Sequence, residues 1–161
     1  MISLRPVQLQ DIKYFAQWWR DSDLIIVTSG DIAPLTDAQI SSYFMDIIEP
    51  LTLTEALHFM IDLGGKTIGH ISLQKREANW WETQIVIGDK TAQGKNYGPR
   101  AIQQLIDKAK RRGINQIYLE VRPENTRAIK AYQKVGFNQV GKAIDTQNRL
   151  QPQLIRMELA Q

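Results

Sequence analysis

Six consecutive residues, Gln93-Gly94-Lys95-Asn96-Tyr97-Gly98, carry the most chemistry in this 161-residue chain. They stand between Glu82 to Ile87, an apolar run that reads as a strand, and Pro99 to Arg112, which reads as a helix. A strand that ends in a glycine-bearing turn and opens a helix is a phosphate cradle in outline. Backbone N–H groups converge in the turn, and the helix N-terminus adds its partial positive charge. Gly94 and Gly98 admit close approach because they lack side chains. Taken alone, the same residues also describe a plain strand-to-helix connection. Downstream, Asn125 and Tyr132 are seven residues apart, two helical turns, and so share a helix face. Asn125 also suits an N-cap, and Tyr132 a half-buried core position. Glu82 and Glu120 stand at strand ends, either as solvated charges or as bases. A Glu at its reference pKa of about 4.3 must be raised by its site to serve as a base at neutral pH.

These groups need a scaffold, and the pattern outlines one. Ile2 to Pro6 reads as a strand, and Leu9 to Arg20 carries a helical stripe at Leu9, Ile12, Phe15, Ala16 and Trp19. Thr36 and Gln39 form a capping box that opens a helix to about Ile48. Between them lies Asp21 to Leu35, with Gly30 and Pro34, a connection long enough to be functional. Its Asp21, Asp23 and Asp31 either meet a cationic ligand or are solvated. Ala56 to Leu63 and Lys66 to Gln74 form a hairpin about Gly64-Gly65. Ala78 to Trp81 is a turn whose tryptophans wall a pocket or cap the sheet. Pro99 and Gly113 bracket the helix after the cradle. Ile117, Leu119 and Val121 alternate in a strand from Gln116, and Asn125 to Val135 is a helix closed by Gly136. Phe137 to Ala143 and Leu154 to Leu159 are closing strands, joined by the polar stretch Asp145 to Gln153. The expectation is one α/β domain over residues 1–161, with a mixed sheet.

Composition narrows the function. Hydrophobic residues make up 43% and charged residues 23%, values of a folded globular domain. The absence of Cys excludes a disulfide framework, a thiolate metal site and a Cys nucleophile. His58 and His70 are twelve apart in separate strands, which argues against a His-based metal site. No window has the roughly 18 apolar residues of a membrane span. The N-terminus lacks the apolar core of a signal peptide, so a cytoplasmic protein is expected. The net charge of +3 is a small surplus. It suits an anionic, phosphate-rich ligand more than a nucleic acid, since the basic run Lys108 to Arg112 falls at a helix C-terminus that favours cations.

The order Gln-Gly-Lys-x-Tyr-Gly, a helix, a strand ending Leu119-Glu120-Val121, and then Asn-x-x-Ala-Ile-x-x-Tyr-x-x-x-Gly-Phe from Asn125 to Phe137 resembles the GNAT superfamily of acyl-CoA-dependent N-acetyltransferases. The ribosomal-protein-alanine, polyamine and aminoglycoside branches are the ones it is similar to. The resemblance implies an α/β (α+β) fold: a mixed, mostly antiparallel sheet of six to seven strands flanked by about four helices. It implies acetyl transfer from acetyl-CoA to a primary amine by direct attack in a ternary complex, with no metal. Gln93 and Gly98 occupy the first and last positions of the family pattern Gln/Arg-x-x-Gly-x-Gly/Ala. That pattern binds the pyrophosphate through backbone amides, here those of Gln93, Gly94, Lys95, Asn96, Tyr97 and Gly98. Asn96 stands where the family usually has Gly, and Asn tolerates the left-handed backbone better than other side chains. Lys95 and Arg100 reach the phosphates or solvent.

The same resemblance gives Ile85, Val86 and Ile87 a backbone pairing with the pantetheine arm, a strand addition. One of their N–H groups would polarise the thioester carbonyl. It places Asn125 against the cofactor and Tyr132 near the sulfur, where a phenol can protonate or hydrogen-bond the departing thiolate. Glu120 matches the proposed base of the N-terminal alanine acetyltransferases, and Glu82 matches an assisting acid in other members. The implied partner is an amine, a small molecule or a protein N-terminus, without a membrane or nucleic acid, and a homodimer is possible. Two other classes stay open: a catalytically silent acyl-CoA-binding domain of the same fold, and a basic nucleic-acid-binding α/β domain. The last leaves the Asn125–Phe137 pattern unexplained.

Overall fold

The architecture follows from one alternation. In the hairpin strands Phe59 and Ile61 point to one side of the sheet and Met60 to the other, and each side is buried by its own pair of helices. The structure, a computed structural model, describes residues 1–24, 35–49, 55–146 and 152–160. Seven strands form one sheet: β1 (Ile2–Pro6), β2 (Ala56–Leu63), β3 (Lys66–Lys75), β4 (Trp81–Ile87), β5 (Ile117–Val121), β6 (Phe137–Ile144) and β7 (Gln153–Leu159). Their order is β1-β2-β3-β4-β5-β7-β6. Every neighbouring pair is antiparallel except β4 and β5, which are parallel. The expected mixed, mostly antiparallel sheet is present.

Helices α1 (Ile12–Trp18) and α2 (Asp37–Ile48) cover one face, where Phe15, Trp18, Phe44 and Met60 form a cluster. Helices α3 (Tyr97–Arg111) and α4 (Thr126–Val135) cover the other. The apolar stripe of α3, Ala101, Ile102, Leu105, Ile106 and Ala109, is fully buried there against Ile61, Ile71 and Leu73. Among the described residues no helix is long and apolar enough to cross a membrane.

Local chemistry sets the element ends. Thr36 Oγ1 accepts from the Gln39 N–H at 3.3 Å while the Gln39 carboxamide accepts from the Thr36 N–H at 2.9 Å, the expected capping box. The Leu9–Arg20 stripe is shorter than expected: Leu9–Asp11 is a 3-10 turn and α1 begins at Ile12. The cause is Asp11. Its carboxylate is buried and receives the Gln8 N–H and both terminal nitrogens of Arg5, each at 2.8 Å. Hydrogen bonds from Arg5 and Gln8 hold Asp11 below the usual carboxylate range, against the opposing effect of burial. Pro99 occupies the third position of α3 rather than the first, still within the turn whose N–H groups lack helical partners. The Gly30–Pro34 part of the early connection, with Asp31, and much of the Asp145–Gln153 stretch lie outside the described residues.

His58 and His70 meet across β2 and β3. His58 Nδ1 and His70 Nε2 are 3.1 Å apart, and the rings are close to parallel at 10°. Burial pushes them down to about 4 and about 3. The folded pair therefore refuses protons that the unfolded chain accepts below pH 6.5. Its contribution to stability is complete above that pH and is lost as pH falls toward 4, by up to about 1.4 kcal/mol per pH unit per ring. Urea midpoints are expected to fall between pH 7 and pH 5, with a shallower slope in His70→Gln. A second expectation is steric. A Cβ on Gly88 would overlap the Trp18 indole, so Gly88→Ala should lower unfolding stability by about 1–3 kcal/mol, read by urea titration.

Candidate active site

The site begins with a pairing that stops early. β4 and β5 share only two rungs, Trp81 with Ile117 and Glu82 with Tyr118. Beyond them β4 continues to Ile87, paired with β3 alone, and β5 continues to Val121, paired with β7 alone. A wedge opens between Thr83–Ile87 and Leu119–Val121. Two glycines hold β4 on its β3 side. Gly69 leaves no Cβ in the way of the Val86 carbonyl, and Gly88 accepts the face of Trp18. The backbone edge of Ile85, Val86 and Ile87 that faces β5 has no strand partner. Thr83, the first residue past the last rung, has a buried hydroxyl with no hydrogen-bond partner among the described residues.

The turn Gln93–Gly98 sits where β4 ends and α3 begins. Asp89 anchors its approach. The carboxylate accepts from the Thr91 N–H at 2.8 Å and pairs with Lys66, and the hydrogen bonds from Lys66 and Thr91 hold it down at about 2. Gln93 donates its carboxamide N–H to the Ile87 carbonyl at 2.8 Å, so this side chain ties the turn back to the strand end. Gly94 has φ +72°, and Asn96 takes φ +66°, ψ +20° as the residue that precedes the helix. The Asn is therefore left-handed, the conformation that suits the family's glycine at this position. Gly98 packs at ordinary distance against Ile85 and Ile87. Lys95 and Arg100 are exposed beside the turn, and Tyr97 is partly buried.

On the far side of the wedge, α4 starts at Asn125. Its side-chain oxygen accepts from the Ala128 N–H at 3.2 Å, so the cap role is real. Ala128, Ile129, Tyr132 and Val135 turn one face of the helix to the core. Tyr132 packs edge-on to Phe137 with ring centroids 6.1 Å apart, and burial pushes its phenol up to about 12. The ring packs in the core, and the hydroxyl keeps its proton at any physiological pH.

Glu82 and Glu120 lie on the opposite sheet face from that core. Arg76 Nε donates to Glu82 at 2.8 Å. Tyr118, the rung partner of Glu82, stands between the two acids on the same face. Burial, then the charge of Glu82, raises Glu120; burial, then Glu82 and Glu120, raises Tyr118. The Arg156 guanidinium lies 3.8 Å from the Tyr118 ring and 5.1 Å from that of Trp80. Trp80 therefore belongs to this face, whereas Trp81 packs in the core and lines a separate cavity with Leu57, Lys75, Arg112 and Asn115. Asp21 and Asp23 both face Lys90, at 3.5 and 3.1 Å. Sequence reasoning passed over Tyr118 and Arg156. The Ile117–Leu119–Val121 alternation had already placed Tyr118 on the face of Glu120.

Among the described residues no group of three or more His, Asp or Glu is placed to hold a metal ion. The profile of the Acetyltransferase (GNAT) domain matches residues 2–138. An uncharacterized N-acetyltransferase, p20, of Bacillus licheniformis is 27% identical over 146 residues, covering 87% of this chain and 80% of that protein. The ribosomal protein bS18-alanine N-acetyltransferase of Haemophilus ducreyi is 42% identical over 52 residues, 32% of this chain and 36% of that enzyme. The chain thus aligns with only about a third of that curated relative. Among solved structures, spermidine N-acetyltransferase from Vibrio cholerae, in complex with CoA and spermine, superposes with a TM-score of 0.81 at 20% identity, covering 98% and 94% of the two chains. An aminoglycoside acetyltransferase in complex with coenzyme A and kanamycin superposes at 0.82 with 16% identity, covering 100% and 95%. With the profile spanning most of its length, this chain belongs to the GNAT acetyltransferase family.

Proposed function

We propose that the protein transfers an acetyl group from acetyl-CoA to a primary amine by direct attack in a ternary complex. The observation that carries this is the wedge between β4 and β5, with a glycine-bearing turn and the start of α3 at its open end. A ligand with an anionic end and an amide-bearing arm fits both parts. The turn offers N–H groups and a helix N-terminus to phosphates. The edge of Ile85, Val86 and Ile87 that faces β5 offers the arm's amides a strand partner through the backbone groups of Ile85 and the Ile87 N–H, the Ile87 carbonyl being held by Gln93. The unpartnered Thr83 hydroxyl adds a polar atom where the wedge closes. In this reading Gln93, Gly94, Lys95, Asn96, Tyr97 and Gly98, with Arg100, hold the phosphates, and Asn125 lines the other side.

Acetyl-CoA supplies an activated thioester carbonyl; the protein supplies position and protons. A backbone N–H of the free β4 edge polarises that carbonyl as it gains charge. Tyr132 serves the departing sulfur. A phenol near 12 is a firm hydrogen-bond donor. Full proton transfer to a thiolate of ordinary basicity, about 8.5, is uphill, so hydrogen bonding is the larger part of its role. The amine must lose a proton before it attacks. Glu120, raised by burial and by Glu82, is the better placed of the two carboxylates to take it, directly or through water. Glu82 is engaged by Arg76 and acts on the field around it. Carboxylates beside Trp80 and Tyr118 suit a cationic acceptor, a protein N-terminus or a small amine. The alanine, spermidine and aminoglycoside substrates named for the relatives are the first acceptors to try.

The decisive assay is thiol release from acetyl-CoA over a panel of peptide N-termini, polyamines and aminoglycosides. Binding of acetyl-CoA without release on any amine would instead favour a silent acyl-CoA-binding domain. With an active acceptor, Tyr132→Phe should lower kcat about 10- to 100-fold at nearly constant KM for acetyl-CoA. Gly98→Val should abolish acetyl-CoA binding in calorimetry. The pH profile of kcat/KM should rise through neutrality as the base and amine lose protons. With the Tyr132 phenol near 12, no falling limb is expected below about pH 10.

A further inference from the structure

Arg127 occupies the second position of α4, in a first turn that holds no acidic residue. A cation there opposes the helix dipole. Its side chain reaches over to the Gln93–Gly98 turn: Nη1 lies 3.9 Å and Cζ 4.0 Å from the point where a Gly94 side chain would begin. Other arginines of this protein, Arg5, Arg76 and Arg156, are paired with carboxylates. Among the described residues Arg127 is paired with none, and neither are Lys95 and Arg100 beside the same turn. The first turn of α3 also lacks an acid. Three cations thus stand at the turn and the two helix starts, and among the described residues none is ion-paired; the acid nearest in the chain to the start of α4, Glu124, precedes its Asn125 cap and forms no ion pair with them. Like charges brought together in this way repel one another, and a bound polyanion reverses the sign of the interaction.

We propose that Arg127 is the opposing jaw of the phosphate site. The backbone N–H groups of the turn hold one side of a pyrophosphate, and the Arg127 guanidinium closes on the other. Its planar fork matches two phosphate oxygens at once, which a lysine cannot do. Gly94 makes the closure geometrically open, because no side chain stands between the turn and the guanidinium. The inference rests on the acetyl-CoA reading above and adds a residue outside the family's turn pattern. It makes Arg127 a determinant of preference for diphosphate-bearing thiol donors.

Calorimetric titration tests this without an acceptor. Wild type, Arg127→Gln and Arg127→Lys are titrated with CoA and with 3′-dephospho-CoA, each at low and high NaCl. Arg127 is exposed, and unchanged melting temperatures confirm intact folds. Arg127→Gln should weaken CoA about tenfold, the size of one charge-assisted contact near the surface. The same loss is expected with 3′-dephospho-CoA, which retains the pyrophosphate. Arg127→Lys should recover part of it, and the salt dependence of Kd should be shallower in Arg127→Gln than in wild type. Unchanged CoA affinity in Arg127→Gln overturns the inference. So does a loss confined to CoA and absent with 3′-dephospho-CoA, which would assign the guanidinium to the 3′-phosphate. Failure of wild type to bind CoA at all sinks the acetyl-CoA reading itself, a distinct result.

Discussion

The site depends on a parallel strand pair that stops hydrogen bonding after two rungs. Continuous pairing would satisfy every backbone group of β4 and leave nothing for a ligand. Here the strands part after Glu82 and Tyr118, and each keeps its other neighbour. The separation is held by packing, since β4 is tied to β3 as far as Ile87 and fastened beyond it by Trp18 against Gly88. The two glycines are thus functional in an indirect way. They let β4 lie close to β3 and α1, and so keep the wedge open on the side of β5. The unsatisfied edge is costly in an empty protein only where water cannot reach it.

Charge is sorted around this wedge. The turn and the first turns of the two helices carry Lys95, Arg100 and Arg127 and no acid. The sheet face beneath α1 and α2 carries Glu82 and Glu120, with Tyr118 between them. Under the proposed function, this sorting would draw an anionic donor and a cationic acceptor to different faces, to meet where the strands part. Arg76 and Arg156 moderate the acidic face, so that Glu120 is raised by burial and by Glu82 without being overwhelmed by positive charge. A carboxylate left fully solvated would stay near its reference value and take protons poorly from an ammonium.

Much of this was legible in the sequence, for identifiable reasons. The seven strands and the helix faces follow from alternation and stripes, and the caps at Thr36, Asn125, Gly113 and Gly136 from residue chemistry. The turn and the α4 face could be paired because both are local patterns. What was not legible depends on contacts between distant segments. The 3-10 start of the first helix comes from Arg5 reaching Asp11 and Asp62 across the sheet. The His58–His70 pair comes from a diagonal across two strands, and Trp81 differs from Trp80 by the face on which it falls. Arg127 looked like an ordinary surface residue on its helix. Only the fold brings it to Gly94.

Asn96 shows how a departure from a family pattern can preserve the feature that matters. A glycine in a turn serves either space or backbone freedom, and the structure separates the two. Asn96 is exposed and sits at φ +66°, so the position asks for a left-handed backbone. A left-handed residue costs a side chain about 1–2 kcal/mol, and Asn bears that conformation more readily than most. Its side chain makes no cap hydrogen bond to α3. The N–H groups at the helix start therefore remain available to an anion. A Ser, Thr or Asp that capped the helix with its own side chain would compete for those same donors. At the mouth of the proposed anion site, an uncapped left-handed Asn is a substitution that would keep both the turn's backbone and its N–H donors.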